Sequence, residues 1–200
     1  MTLSQFQHYR RIVLAVLIML ISAGLLFVGS KGSEARHDNI EAVGLGLIVI
    51  GILGRLWCTL YIGNRKSAVL VDVGPYSITR NPLYLFSSVA AGGVGAQTGS
   101  IILSLLFFVG SVVAFQLVIR REERFLSSAF GAPYESYLQR VPRFWPSIRG
   151  WRDEPVLTIS TGRLYTTFQD GLVFFAAKPA FEFVEYLQRS DVLPVFLRLP

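Results

Sequence analysis

The chain has 200 residues, of which 52% are hydrophobic and only 16% charged, and its mean hydropathy of +0.49 excludes an ordinary soluble domain and points to an integral membrane protein. The formal net charge of +6 and an isoelectric point near 9.8 do not mark a nucleic-acid binder, because the basic residues cluster beside apolar runs, as the cytoplasmic flanks of membrane helices do. The single cysteine, Cys58, falls inside an apolar run, so no disulfide framework is available and the thiol is expected to be buried and structural.

Arg10 and Arg11 precede an uncharged run from Ile12 to Gly29, long enough to cross the hydrocarbon core. The start resembles a signal peptide, but the run exceeds a typical signal core and more apolar spans come after it, so a retained first helix is expected. The mixed charges of Ser30 to Asn39 suit a non-cytoplasmic loop. From about Ile40 a second run crosses back, with Gly44, Gly46, Gly51 and Gly54 spaced to let another helix approach closely. Arg55 interrupts it, either snorkelling toward the interface or lining a cavity as an inward-facing charge. Trp57 and Tyr61 fit an aromatic belt, followed by Asn64, Arg65 and Lys66 on the cytoplasmic side.

Ala68 to Tyr76 reads as a partly extended loop ending in Gly74-Pro75, and Pro82 suits the first turn of a helix running to about Ala96. The small residues of that helix predict tight helix packing or close backbone approach to a cofactor. After a turn at Gln97 to Ser100, Ile101 to Ile119 returns across the membrane, and the helix is expected to continue through Glu122 and Glu123 to Phe130, where Gly131 and Pro133 stop it. Tyr134 and Tyr137 then fall on a short turn, and Val141 to Pro146 forms a rigid aromatic segment at the interface. The composition changes at Gly150, dividing a membrane domain (1–149) from an extension (150–200) at the cytoplasmic or membrane surface. Within the extension Val156 to Phe168 reads as strand-like, Gly171 to Ala177 is apolar but too short to span, and Pro179 opens an amphipathic helix suited to a membrane surface or a partner subunit. The expected fold is all-α and integral to the membrane: about four transmembrane helices, a cytoplasmic juxtamembrane catalytic region, both termini cytoplasmic, and a small C-terminal tail of mixed structure.

Two polar blocks, Gly74 to Tyr84 and Arg121 to Tyr137, bracket the helical hairpin. Each combines charge and tyrosine with a Gly/Pro turn at one membrane face, so the two can converge on one ligand. Glu122 and Glu123 are adjacent and about 100° apart on a helix, so one of them faces inward; the alternative pairs both with Arg120, Arg121 or Arg124 at the surface. No zinc pattern, phosphate loop, nucleophile elbow or dinucleotide-binding glycine motif appears, so no metal site and no soluble nucleotide-binding fold is expected.

The series Gly74-Pro75-Tyr76, Arg80-x-Pro82-x-Tyr84, Glu122-Glu123, Phe130-Gly131, Tyr134, Tyr137 and Pro142-Arg143 through Pro146 resembles the isoprenylcysteine carboxyl methyltransferase and phospholipid methyltransferase superfamily, over 74–146. That resemblance implies an S-adenosylmethionine-dependent membrane methyltransferase, with the cofactor held from the cytoplasmic side and a lipophilic acceptor entering from the bilayer. It implies Arg80, Asn81 and Tyr84 as the catalytic group, and Tyr76, Arg80, Tyr84, Glu122, Glu123, Tyr134 and Tyr137 around the cofactor. Asn81 stands where the family motif often has histidine, and Phe86 where many relatives have glycine, a bulk expected to narrow the cleft or change the acceptor. Only His8 and His37 are present and both lie outside the blocks, which favours a carboxylate acceptor that needs no base over a phospholipid amine. A nicotinamide-dependent membrane reductase and a non-catalytic membrane protein binding anionic lipids or a partner are the alternatives. The plasma membrane, the bacterial inner membrane and the endoplasmic reticulum all accommodate such spans.

Overall fold

A computed structural model of the chain describes residues 24–31, 33–63 and 69–199. Most of the expected first helix, with Arg10 and Arg11, lies outside these residues, as do Asn64, Arg65 and Lys66. The described end of the first apolar run is a short strand, β1 (Val28–Ser30). The helix α1 (Glu34–Ile62) begins six residues earlier than the apolar run suggests, after Ser33 in extended conformation with Glu34 in its first turn, where an acidic group favours the helix N-terminus. A single helical turn, α2 (Pro75–Ile78), precedes α3 (Pro82–Ala96), which has proline in its first turn. The long helix α4 (Ile101–Phe130) starts at Ser100, whose hydroxyl accepts from the Leu103 N–H.

Among the described helices, α1 and α4 are long and apolar enough to cross a membrane, while α3 is shorter; two candidate spans therefore stand where about four were expected. The outward side of α4 is apolar, with Leu105, Leu106, Val109, Val113 and Leu117 all more than half exposed. A surface of that kind is matched by lipid rather than water.

Glycine sets the contact of α1 with α3. A Cβ at Gly44 would lie 2.6 Å from Ala96 Cβ, and one at Gly51 2.6 Å from Ala90 Cβ, whereas Gly46 faces open space. Gly54 receives the ring of Phe86, which also packs edge-on against Trp57 at 6.3 Å. The bulk of Phe86 is thus taken up between helices, and the expectation that it narrows the cleft is corrected. On the other flank of α3, Ser104 of α4 donates to the Gly92 carbonyl at 2.9 Å.

Gly131 ends α4 with φ 59° and ψ −134°, and Gly74 before α2 has φ 58° and ψ −135°, a conformation that a side chain disfavours. The two polar blocks therefore use the same turn. Gly131 leads directly into a second helix, α5 (Ala132–Arg140), with Pro133 in its first turn. The expected short turn carrying Tyr134 and Tyr137 is corrected accordingly, because proline lacks only an N–H that the first turn leaves unused.

The extension is helical where a strand was expected. Helix α6 (Thr161–Leu172) passes through a 3₁₀ turn, Val173–Ala176, into α7 (Ala177–Arg189). Leu164, Thr167 and Gly171 recur at helical spacing on the less exposed side, so packing overrides β propensity. The pair runs antiparallel along α1: Thr167 bonds Thr59 at 3.1 Å, Gly171 meets Ile52, Lys178 meets Glu41 at 2.8 Å and Glu185 meets His37 at 3.0 Å. A final strand, β2 (Leu197–Leu199), pairs in parallel with β1.

Candidate functional site

The first polar block is stapled to Tyr137 of the second and to the segment after α5, 142–147. Arg80 N–H donates to the Pro142 carbonyl at 2.9 Å and Ser147 N–H to that of Ile78 at 2.8 Å. The Thr79 hydroxyl donates to the Phe144 carbonyl at 2.9 Å, and the Tyr137 hydroxyl to that of Tyr76 at 2.8 Å. Asn81 donates its side-chain amide to the Arg143 carbonyl at 2.9 Å. The residue at the motif's usual histidine position is therefore a buried link between the first block and that segment.

At the centre sits Glu123, buried on α4. Its carboxylate meets Arg80 at 3.2 Å and Arg143 at 2.8 Å, with Arg143 Nε also donating at 3.0 Å. Glu122, about 100° further round the helix, is exposed, and no ion pair to it is found among the described residues. The inward carboxylate is thus Glu123, and its partners come from the first block (Arg80) and from the proline-bounded segment after α5 (Arg143) rather than from Arg120, Arg121 or Arg124. Arg143 belongs to the motif series, but its part in this charge cluster was not anticipated; the signal was its place in a proline-bounded segment.

Arg80, Glu122 and Glu123 border a cavity of about 590 Å³, within the roughly 300–1,000 Å³ range of small-ligand sites. All eight residues singled out from the sequence line it: Tyr76, Arg80, Asn81, Tyr84, Glu122, Glu123, Tyr134 and Tyr137. Residues missed by sequence reasoning complete it, among them Ser87, Ser111, Phe115 and Phe174, and Arg55 lines it too. The Tyr84 and Phe115 rings pack at 4.8 Å. Four buried polar side-chain atoms lack a partner among the described residues, and three of them belong to this cavity's lining: Arg55 Nε, Tyr76 Oη and Arg80 Nε. Each costs roughly 1–3 kcal/mol when unpaired, so their concentration marks a place where acceptors arrive with a ligand.

Burial, and then the negative charge of Glu123, pushes the Tyr134 phenol up to about 12. Burial raises Tyr76 and Tyr137 in the same direction. All three are neutral donors near neutral pH and not bases. At the other end of α1, His37 bridges Glu41 at 3.2 Å and Glu185 at 3.0 Å.

A helical hairpin with an apolar outer flank, whose polar ends converge on a cavity rimmed by arginine, carboxylate and phenol, defines a membrane protein with a ligand-sized polar cavity at one end of its helices. The comparisons give that class its family. The profile of the phospholipid methyltransferases matches residues 40–133. The nickel-cobalt-cadmium resistance protein NccN of Alcaligenes xylosoxydans xylosoxydans is 33% identical over 96% of this chain and 88% of its own. The cobalt-zinc-cadmium resistance protein CzcN of Cupriavidus metallidurans is 31% identical over 92% and 85%. Protein-S-isoprenylcysteine O-methyltransferase B of Arabidopsis thaliana is 28% identical over 71% and 75%. No solved structure matches the chain significantly. The chain belongs to the superfamily of integral membrane methyltransferases that includes the phospholipid and isoprenylcysteine carboxyl methyltransferases.

Proposed function

We propose that the protein transfers a methyl group from S-adenosylmethionine to a lipophilic acceptor, with a carboxylate favoured over an amine. The observation that carries this reading is the meeting of both polar blocks and three unpartnered buried donors in one cavity. The cofactor carries an ammonium, a carboxylate and a ribose diol, and the lining offers a counterpart for each. Glu122, exposed at the rim, suits the ammonium or the ribose hydroxyls, and the unpaired Nε of Arg80 suits the carboxylate. Glu123 fixes Arg80 and Arg143 in place. The faces of Tyr84 and Tyr134 can border a cationic centre. When bound, the cofactor supplies an electrophilic methyl group on a positively charged sulfur. The chain's own groups then bind, align and exclude water, and Tyr76, Tyr134 and Tyr137, all raised by burial, remove no proton at neutral pH. A carboxylate acceptor requires no such step.

Calorimetric titration of the detergent-purified protein with S-adenosylhomocysteine tests this. Saturable binding is expected; binding of NADPH in its place would turn the reading to a reductase, and binding of neither to a non-catalytic role. The bilayer supplies the acceptor, and the cavity mouth faces the cytoplasm in this reading.

A second reading concerns metal ions, since two relatives are named for resistance to them. His37, Glu41 and Glu185 bring one ligand atom each within 4.8 Å of one another. Edges of 3.2 and 3.0 Å suit a cation about 2.1 Å from nitrogen and oxygen. Lys178 already neutralises the other Glu41 oxygen. Equilibrium dialysis against zinc and cobalt with His37→Ala separates this from a simple ion-pair cluster, which would retain no metal.

A further inference from the structure

The cavity has two cationic ends, and only one is accounted for by the cofactor. Arg80 stands at the mouth beside Glu123, which also holds Arg143 from outside the lining. Arg55 lies seven residues inside Ile62 on α1, about 10 Å deeper at helical rise, at the level where α4 contributes Ser111 and Phe115 rather than glutamates. Both Arg55 and Ile62 line the same cavity. An arginine at such depth is costly without a partner, yet its Nε is buried and unpaired; among the described residues no salt bridge reaches it, and the carboxylate of Asp170 on α6 acts on its charge only from longer range. The guanidinium carbon instead sits 5.8 Å from the centre of the Phe174 ring. Phe174 comes from the 3₁₀ turn between α6 and α7, a segment outside the matched family region.

We infer that Arg55 receives the anionic head of the acceptor, and that the C-terminal extension, through Phe174, walls this end of the cavity and holds the guanidinium. The inference rests on the methyltransferase reading for the word acceptor, but not for the binding itself. An acidic lipid matches every feature. Its head supplies the acceptor oxygens that Arg55 lacks, and its tail lies against Leu83, Phe115 and Phe174. A lipid amine would place a cation against an unpaired guanidinium, which the geometry disfavours. The deep site thus discriminates by charge, and the extension adds a specificity element to the family core.

The test is binding of an S-prenylated N-acetylcysteine and its uncharged carboxamide to the full chain in detergent, followed calorimetrically, with S-adenosylhomocysteine titrated separately. Wild type should prefer the acid roughly tenfold or more, the worth of a charge-assisted hydrogen bond in a sheltered site. Arg55→Gln should abolish that preference and Arg55→Lys retain part of it, while Phe174→Ala weakens acid binding several-fold. None of the three should change affinity for S-adenosylhomocysteine. Phosphatidic acid compared with the prenylcysteine acid distinguishes a phosphate head from a carboxylate, phosphatidylethanolamine vesicles supply the amine-bearing lipid, and preference for that lipid would overturn the inference. So would an acid preference that survives Arg55→Gln, or equal loss of both ligands in that variant. Failure of wild type to bind S-adenosylhomocysteine, with acid preference through Arg55 intact, would instead overturn the methyltransferase reading and leave the deep anionic site standing.

Discussion

Adjacent glutamates on α4 have separable duties, and two conservative substitutions distinguish them. Glu123 is 8% exposed and is held by Arg80 at 3.2 Å and by Arg143 at 2.8 Å. Breaking a buried pair by deleting one partner costs about 3–5 kcal/mol. Glu123→Gln keeps the volume and one acceptor oxygen, so a loss of about 2–3 kcal/mol is expected, which at roughly 2–4 °C per kcal/mol lowers Tm by several degrees. Two arginines would then stand without a counter-charge and repel each other, weakening S-adenosylhomocysteine binding indirectly. Among the described residues Glu122 has no ion pair to lose. Glu122→Gln should leave Tm within about a degree and weaken S-adenosylhomocysteine roughly tenfold or more, the range for a hydrogen bond to a charged group. The assay is thermal unfolding in detergent beside calorimetric titration of both variants. The reverse pattern, with Glu122→Gln lowering Tm and Glu123→Gln changing neither quantity, would refute the assignment.

Gly51→Ala would set a Cβ 2.6 Å from Ala90 Cβ and 2.8 Å from the Phe86 carbonyl; neither backbone can yield, so a loss of about 1–3 kcal/mol is expected, against no loss for Gly46→Ala, which meets open space. Paired unfolding curves check this. Tyr137→Phe strands the buried Tyr76 carbonyl and should cost about 1–3 kcal/mol, read as a lower Tm with the cavity lining otherwise intact. Asn81→Ala similarly frees the Arg143 carbonyl and should lower Tm, whereas Asn81→His, which can supply an N–H, should restore part of it; a Tm unchanged by alanine would remove the linking role. The Tyr134 phenol titrates near 12 when folded and near 10 when unfolded, so between those values the unfolded chain sheds its proton first and stability falls as pH rises, by up to about 1.4 kcal/mol per pH unit. Tm measured from about pH 9 to about pH 11.5 should decline across that window; Tyr134→Phe should make the decline shallower without removing it, because buried Tyr76 and Tyr137 are raised in the same direction.

What the sequence made legible was local. Pro82 opens α3 and Ser100 caps α4 because proline and a hydroxyl meet the unpaired groups of a helix start. The likeness of the two blocks was also readable, since Gly74 and Gly131 share a backbone conformation that their Gly/Pro context signals. The same local signal misled at Pro133: a proline that cannot continue one helix is well placed to begin another, and the residue by itself does not distinguish a helix end from a helix start.

Long-range pairing decided the rest. Nothing local says that Glu123 takes its partners from Arg80, 43 residues before it (123 − 80), and Arg143, 20 residues after it (143 − 123), because the nearer arginines satisfy the same charge rule. Geometry separates them: α4 turns Glu123 toward α3 and leaves Arg120 and Arg124 outside, while the backbone bonds from Thr79, Arg80 and Asn81 to 142–144 bring Arg143 to it. The extension shows the same limit. Its β-branched and aromatic residues favour a strand in isolation, but Thr167 and Gly171, four residues apart, both meet α1, at Thr59 and Ile52, and lie on one face of α6. Propensity yields there because the partner surface, and not the segment, supplies most of the stabilisation; the same packing places the Phe174 ring beside Arg55.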